Sequence, residues 1–252
     1  WLMTGRVTQI AFVSRFGAVT FMVGKILRFA FFLFFLLILG SKTQAIAGFS
    51  IYQIIFFFAT FNLVDTSSQF LLREVYRFRY YVTSGEFDYF LTKPLSPLAR
   101  SLFGGSDILD LPMLLLSISF IVYSASHLGT VTFFSSLLYI LLIANGLLIA
   151  LALHILVLAM GVLTTEIDHT IMIYRDITQM GRLPIDIYQQ PLSWILTYIL
   201  PVAIMMTTPA KALMGSLNFP ILVAAFIISL TFLISSIKIW QFALKNYSSV
   251  SS

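Results

Sequence analysis

The sequence predicts an all-α integral membrane protein with about six transmembrane helices. Of its 252 residues, 59% are hydrophobic and only 10% are charged, whereas charged residues make up about 25% of a typical soluble domain. Long uncharged windows and a one-sided distribution of lysine and arginine point the same way. A soluble fold of this length would need more polar surface, so the lipid bilayer is the expected solvent.

The uncharged windows indicate where the spans lie. A spanning helix needs about 20 mostly apolar residues, and the window 111–165 is long enough for two spans joined by a turn near 124–129. The first helix is expected to begin near Phe21, with Lys25 and Arg28 reaching the headgroup layer. We expect one transmembrane domain over 1–252, with spans at about 22–41, 43–66, 108–126, 131–162, 190–209 and 217–239.

The basic residues orient these spans, because short cytoplasmic loops of membrane proteins are enriched in lysine and arginine. With the N-terminus inside, thirteen of the fifteen basic residues fall in inner segments, and only Lys42 and Lys211 fall in outer ones. This predicts a multi-pass protein of the cell's inner (plasma) membrane with both termini in the cytoplasm. Anionic membrane lipid accounts for the net charge of +5, so no nucleic-acid partner is expected.

The segment 1–24 is mildly amphipathic, with basic residues among apolar ones. It predicts an interfacial helix that leads into the first span. A frayed extension of that span is the alternative.

The stretch 73–105 is the only long polar insertion, and we expect it to form a cytoplasmic loop. Its first part predicts a charged helical continuation of the second span, with Arg73, Arg77 and Tyr81 on one face. Gly85 breaks that helix, and the prolines in 93–97 end the short aromatic unit that follows.

This aromatic unit predicts a docking surface. An exposed apolar patch usually marks an interaction site, and aromatic residues dominate the centres of interfaces. Phe87, Tyr89 and Phe90 would provide such a patch. Alternatively, the same rings would lie on the headgroup layer as an aromatic belt.

Two sequence blocks resemble the signature of ABC-2 type permeases. The first is Gly-Glu-Phe-Asp-Tyr-Phe-Leu-Thr-Lys-Pro-Leu-Ser-Pro at 85–97, which follows an arginine-rich helix. The second begins with Leu-Pro-Ile-Asp-Ile-Tyr at 183–188 and continues through Ile-Leu-Thr-Tyr-Ile-Leu-Pro-Val at 195–202 and Pro-Ala-Lys-Ala-Leu at 209–213. Their order is similar to that of the branch of multidrug or viologen-exporter permeases.

The resemblance implies an ABC-2 type exporter transmembrane domain. The chain would be the permease subunit of an ATP-binding cassette exporter and would form the substrate pathway with a second copy or a sister permease. Its long loop would carry a coupling helix that fits a groove on a separate cytoplasmic ABC ATPase. By this resemblance, the coupling residues are Glu86, Phe87, Asp88, Tyr89, Phe90 and Leu91.

The chain has no P-loop motif, since the segment 40–43 (Gly-Ser-Lys-Thr) lacks the required order of residues. We therefore expect no enzymatic activity and no cofactor in this chain, with ATP and magnesium on the partner subunit. One rival hypothesis is a membrane-embedded enzyme that uses Glu166, Asp168 and His169, although a polar helix end also explains these residues. Another is an ATP-independent channel or scaffold subunit.

Polar residues near the inner end of the second span are candidates for lining the pathway. They are Asn62, Asp65, Ser68 and Gln69. In related exporters this span lines the central cavity. The alternative is that these residues mark the point where the helix leaves the hydrocarbon.

Two polar residues lie in the fourth span. Asn145 and His154 could form hydrogen bonds between helices. For His154, a buried and satisfied side chain is favoured over a proton relay.

The segment 166–190 has two possible placements. Charge counting favours a cytoplasmic loop at 166–186, because Arg175 and Asp176 would be costly inside a span. The wider ABC-2 pattern instead makes 167–183 the fifth span, and 192–208 then only dips into the membrane. Prolines at 184, 191, 201 and 209 suit broken helices, so the second placement stays open.

Overall fold

A computed structural model describes residues 15–43, 45–129, 131–164 and 167–247. This part of the chain is helical and contains no strand. Most of the predicted interfacial helix, 1–24, lies outside the described residues. The helices are α1 (Arg15–Lys42), α2 (Ile51–Leu71), α3 (Phe78–Thr83), α4 (Glu86–Thr92), α5 (Pro97–Leu102), α6 (Leu111–Ala125), α7 (Phe133–Thr164), α8 (Ile167–Gln179), α9 (Leu192–Trp194), α10 (Thr208–Leu213) and α11 (Phe219–Lys245).

Five segments of the described chain are long and apolar enough to cross a membrane. They are α1 from Phe16, α2, α6 with the 3₁₀ turn before it, α7 and α11. A further pair, Leu192–Ile199 and Ala203–Leu213, is bent by 79°, as in a broken span or a re-entrant loop. The prediction of an all-α protein with about six spans is therefore confirmed.

Local sequence explains where α2 begins, and the structure shows where it ends. Ser50 and Gln53 form a capping box, in which each side chain accepts a hydrogen bond from the other residue's backbone N–H. The predicted helical continuation of α2 is interrupted at Leu72. A 3₁₀ turn, Arg73–Arg77, lies between α2 and α3.

Helix α7 lies at the centre of the bundle. It packs against α8, α10 and α11, while α2 packs against α6. Asn145 of α7 donates to the carbonyl of Ala225 at 3.3 Å and accepts from the Ser229 hydroxyl at 2.5 Å, and both partners lie on α11. The predicted hydrogen bond between helices at Asn145 is confirmed.

The segment from α8 to α10 follows α7 back along its length. Gly161 of α7 lies against Ile167, at the start of α8. The ring centroids of His154 and Tyr174 are 4.6 Å apart, and further along α7 a Cβ built on Gly146 would lie 2.6 Å from the backbone oxygen of Met205. The segment 167–187 therefore packs along the bundle, whereas charge counting favoured a loop below it.

Candidate functional site

Helix α4 is the short aromatic unit of the long loop. It begins after Gly85, whose φ of 76° is left-handed and is easily adopted only by glycine. It ends at Lys93, which is extended in front of Pro94. The predicted start and end of this unit are confirmed. The face of the helix that is exposed is not the one that the sequence predicted.

Phe87 and Phe90 face the protein interior, so the expectation that they are exposed is wrong. Phe87 is 0% exposed. Its ring centroid lies 5.0 Å from that of Phe78, 6.3 Å from that of Trp240 and 5.2 Å from that of Tyr247. These two phenylalanines are three positions apart and share one helix face, which they bury to attach α4 to the bundle.

The opposite side of α4 is the exposed face. Tyr89 is 60% exposed and Leu91 is 39% exposed, and Glu86 is also exposed. The ammonium of Lys93 lies 3.9 Å from the centre of the Tyr89 ring, where a cation is attracted by the negative ring face. Glu86, Tyr89 and Lys93 lie together on one side of this exposed surface, and Leu91 lies at its other edge. We call these four residues the docking face, because the sequence predicts docking at this unit.

Glu74 connects the parts of the loop, and the sequence analysis missed it. This carboxylate is 2% exposed. It binds the guanidinium of Arg77 at 3.2 Å and that of Arg100 at 3.0 Å, and it accepts from the Tyr81 hydroxyl at 2.5 Å. The available signal was a glutamate that lies within one helical turn and a half of three arginines, Arg73, Arg77 and Arg79.

Tyr81 and Arg100 extend this network towards α4. Burial and the hydrogen bond to Glu74 raise the pKa of Tyr81 to about 12, so its phenol remains a donor at neutral pH. The Arg100 guanidinium lies 4.9 Å from the centre of the Phe90 ring. These contacts join the C-terminal end of α2 to α3, α4 and α5. We call the four residues Glu74, Arg77, Tyr81 and Arg100 the Glu74 cluster.

Two ion pairs fix the start of α6. Arg73 lies 3.3 Å from Asp107, and Asp107 also accepts from the backbone N–H of Leu109, as expected for a helix cap. Lys25 of α1 pairs with the buried Asp110. The sequence prediction that Lys25 reaches the headgroup layer did not include this ion pair.

A polar cavity of about 90 Å³ lies between α1, α2, α6 and α8, and we call it the polar pocket. Three of the four predicted pathway residues line it: Asn62, Asp65 and Gln69. Ser68 does not, because it is buried and its hydroxyl donates to the backbone carbonyl of Asp65. The remaining polar lining residues are Lys25, Arg28, Thr66, Arg175, Gln179 and Arg182.

Hydrogen bonds between side chains order the walls of the polar pocket. Gln69 donates to the Asp65 carboxylate at 2.9 Å. Arg28 donates to the Gln179 side-chain oxygen at 2.8 Å and lines the pocket. The spacing of residues 175, 179 and 182 places them on one helix face, and this signal could have identified them in advance.

The cluster that the enzyme hypothesis requires is described only in part. Glu166 lies outside the described residues, and Asp168 pairs with Arg79 of α3. No group of three His, Asp or Glu side chains that could hold a metal ion occurs among the described residues.

His154 is buried in α7. Its Nδ1 atom lies 2.7 Å from the carbonyl oxygen of Ala150 in the same helix, and its Nε2 atom has no described partner. The predicted hydrogen bond to another helix is therefore absent from the described residues.

Comparison with known families identifies the chain's family. Residues 26–251 match the family model described as ABC-2 family transporter protein. Comparisons with curated proteins and with solved structures give no match. Because the family model covers nearly the whole chain, the protein belongs to the ABC-2 transporter family and is an ABC-2 type permease.

Proposed function

We propose that the chain is the permease subunit of an exporter and that a separate cytoplasmic ATPase binds the docking face of α4. The observation that carries this proposal is the division of α4 into two faces. Phe87 and Phe90 attach the helix to the bundle, while Tyr89 and Leu91 remain exposed. A helix that packs tightly against its own protein can transmit force from a partner that binds its exposed side.

Contacts behind α4 give that force a route. Phe87 lies against Trp240 of α11, and Phe90 lies against Arg100, which binds Glu74 at the inner end of α2. Displacement of α4 would therefore move α2 and α11 together. This fits rigid-body switching between two packed states, in which ATP and magnesium act on the partner subunit.

We propose that 167–187 is the fifth crossing and that 192–213 is a re-entrant segment on the outer side. The packing of 167–187 along α7 and the 79° bend within 192–213 support this assignment. The arginines of this segment face the polar pocket, which lowers the cost of placing them at membrane depth. With this topology both termini lie in the cytoplasm, and the protein itself lies in the inner membrane.

The polar pocket is the proposed part of the substrate pathway within this chain. Asn62, Asp65 and Gln69 line it, and a second copy or a sister permease would complete the pathway. The pathway would lie among membrane lipid, and nothing in this arrangement calls for nucleic acid.

The experiment is copurification of the ATPase from native membranes. Tyr89→Ala combined with Leu91→Ala removes the largest side chains of the docking face, and hot-spot truncations typically cost at least about 2 kcal/mol of binding, or roughly thirtyfold in affinity. We expect the nucleotide-binding partner to be lost while the permease inserts normally. Tyr198→Ala with Leu192→Ala, a similarly exposed pair, is the matched control.

Full retention of the ATPase by the Tyr89/Leu91 variant would contradict the proposed docking face. Absence of any nucleotide-binding partner from the wild-type preparation would instead favour the channel or scaffold hypothesis. Phe87 and Phe90 are unsuitable for this test, because truncating buried rings would also damage the fold.

A further inference from the structure

Two cavities follow one another along the seam between α1, α2 and α6. The polar pocket is the inner one. The outer cavity has a volume of about 630 Å³ and is almost entirely apolar. The two are adjacent, because Phe29 lines the first and Phe120 the second, with ring centroids 5.2 Å apart. The outer cavity is lined by residues that include Leu33, Leu37, Tyr52, Ile55 and Tyr123.

The polar pocket carries surplus positive charge. Asp65 is the only acidic residue among its described lining, against three arginines and one lysine. The lysine is already neutralised by Asp110. No described carboxylate lies within ion-pair distance of Arg28, Arg175 or Arg182. One carboxylate therefore faces three guanidinium groups without a close anionic partner.

Neutral groups hold two of these arginines in place. Arg28 donates to Gln179, and the Arg182 guanidinium lies 5.4 Å from the centre of the Phe32 ring and 5.9 Å from that of Phe61. Uncompensated positive charge beside hydrocarbon is costly. A bound anion would remove this cost, and the planar fork of arginine matches the oxygens of a phosphate group.

We propose that this seam binds a phosphate-bearing anionic amphiphile, with its phosphate among Arg28, Arg175 and Arg182 and its chain in the apolar cavity. The adjacency of the two cavities favours a lipid-like molecule over free phosphate, since only an amphiphile reaches both. The role of this molecule as cargo rests on the proposed function. Its binding does not, because no ATPase contact is involved.

The test measures the affinity of the full-length protein, purified with its retained partners, for fluorescent phosphatidylglycerol. Replacing Arg28, Arg175 and Arg182 together by Gln should weaken binding at least about tenfold, since a hydrogen bond to a charged group contributes about 1.5–3 kcal/mol. The control replaces three basic residues outside the pocket by Gln and removes the same charge. These control positions are Lys42, Lys238 and Lys245, which are exposed and line neither cavity, and binding should be unchanged.

A second variant separates loss of the site from damage to the fold. Asp65→Asn removes the pocket's only described carboxylate and should strengthen phosphatidylglycerol binding severalfold, whereas a damaged fold would weaken it. Equal affinities of the two triple variants would overturn the proposal. So would binding of inorganic phosphate without phosphatidylglycerol. A protein that binds the lipid yet copurifies with no ATPase would fail only the proposed function.

Discussion

Glu74 is the residue on which the loop 73–105 depends most. Its carboxylate is buried and accepts from two arginines and a tyrosine. A Cβ added at Gly104 would lie 2.0 Å from the Glu74 carboxyl carbon. The backbone at Gly104 therefore packs directly against this carboxylate. Burying a carboxylate is tolerable only when its lone pairs are satisfied, as they are here.

Glu74→Gln is expected to lower the free energy of unfolding by about 2 kcal/mol, because Arg77 and Arg100 lose their shared carboxylate. The measurement is thermal unfolding in detergent. Glu86→Gln is the control, since Glu86 is exposed and surface changes are usually within about 0.5 kcal/mol. Equal stability of both variants would show that the Glu74 cluster is not a structural connection.

The sequence could predict only part of this network. Arg77 and Tyr81 share a helix face with each other through local spacing alone. Arg100 is 26 positions from Glu74, and that contact exists only because the prolines of 93–97 turn the chain back. The pairing of Arg28 with Gln179 is equally non-local, so the sequence analysis assigned Arg28 to the headgroup layer.

At the scale of the helix, the sequence identified α4 but not the direction of its aromatic face. A face of two phenylalanines can bury itself against its own protein or against a partner, and composition does not distinguish the two. The deciding contact is with Trp240 and Tyr247, far along the chain. The same limit applies to α8, because the cost of placing Arg175 in a span depends on the polar pocket that this residue lines.

The close approach of the bent segment 192–213 to α7 gives a test for this level of structure. Gly146→Ala would place its Cβ 2.6 Å from the Met205 backbone oxygen, and such overpacking costs about 1–3 kcal/mol. We expect a lower midpoint of thermal unfolding. Gly24→Ala on α1, which meets nothing within 4 Å, should be neutral or slightly stabilising, and a similar loss in both variants would refute this packing.

At the scale of the whole molecule, composition alone predicted a multi-span helical protein, because apolar length determines what can cross a bilayer. The placement of 167–213 could not be predicted in the same way. Charge counting assigned Arg175 the cost of a charge in hydrocarbon, because the sequence does not show which side chains surround it. A helix bent by 79° also has no continuous apolar period to recognise. Only the tertiary contacts with α7 show that this segment packs along the bundle.

The chain contains no cysteine, so single cysteines report topology cleanly. Gln189→Cys should react with an impermeant maleimide from outside the cell, because we place 189 after the fifth crossing. Ser126→Cys is the outer control and Ser84→Cys the inner one, and all three positions are exposed. Labelling of position 189 only after permeabilisation would restore the cytoplasmic loop at 166–186.

We propose that a separate ATPase binds α4 through Tyr89. Photo-crosslinking tests it most directly, with p-benzoylphenylalanine in place of Tyr89 in native membranes and the same substitution at Tyr198 as the control, since both side chains are exposed. We predict a crosslinked nucleotide-binding subunit from position 89 and none from position 198. Crosslinks from position 89 to lipid alone would contradict the claim and support an aromatic belt in the headgroup layer.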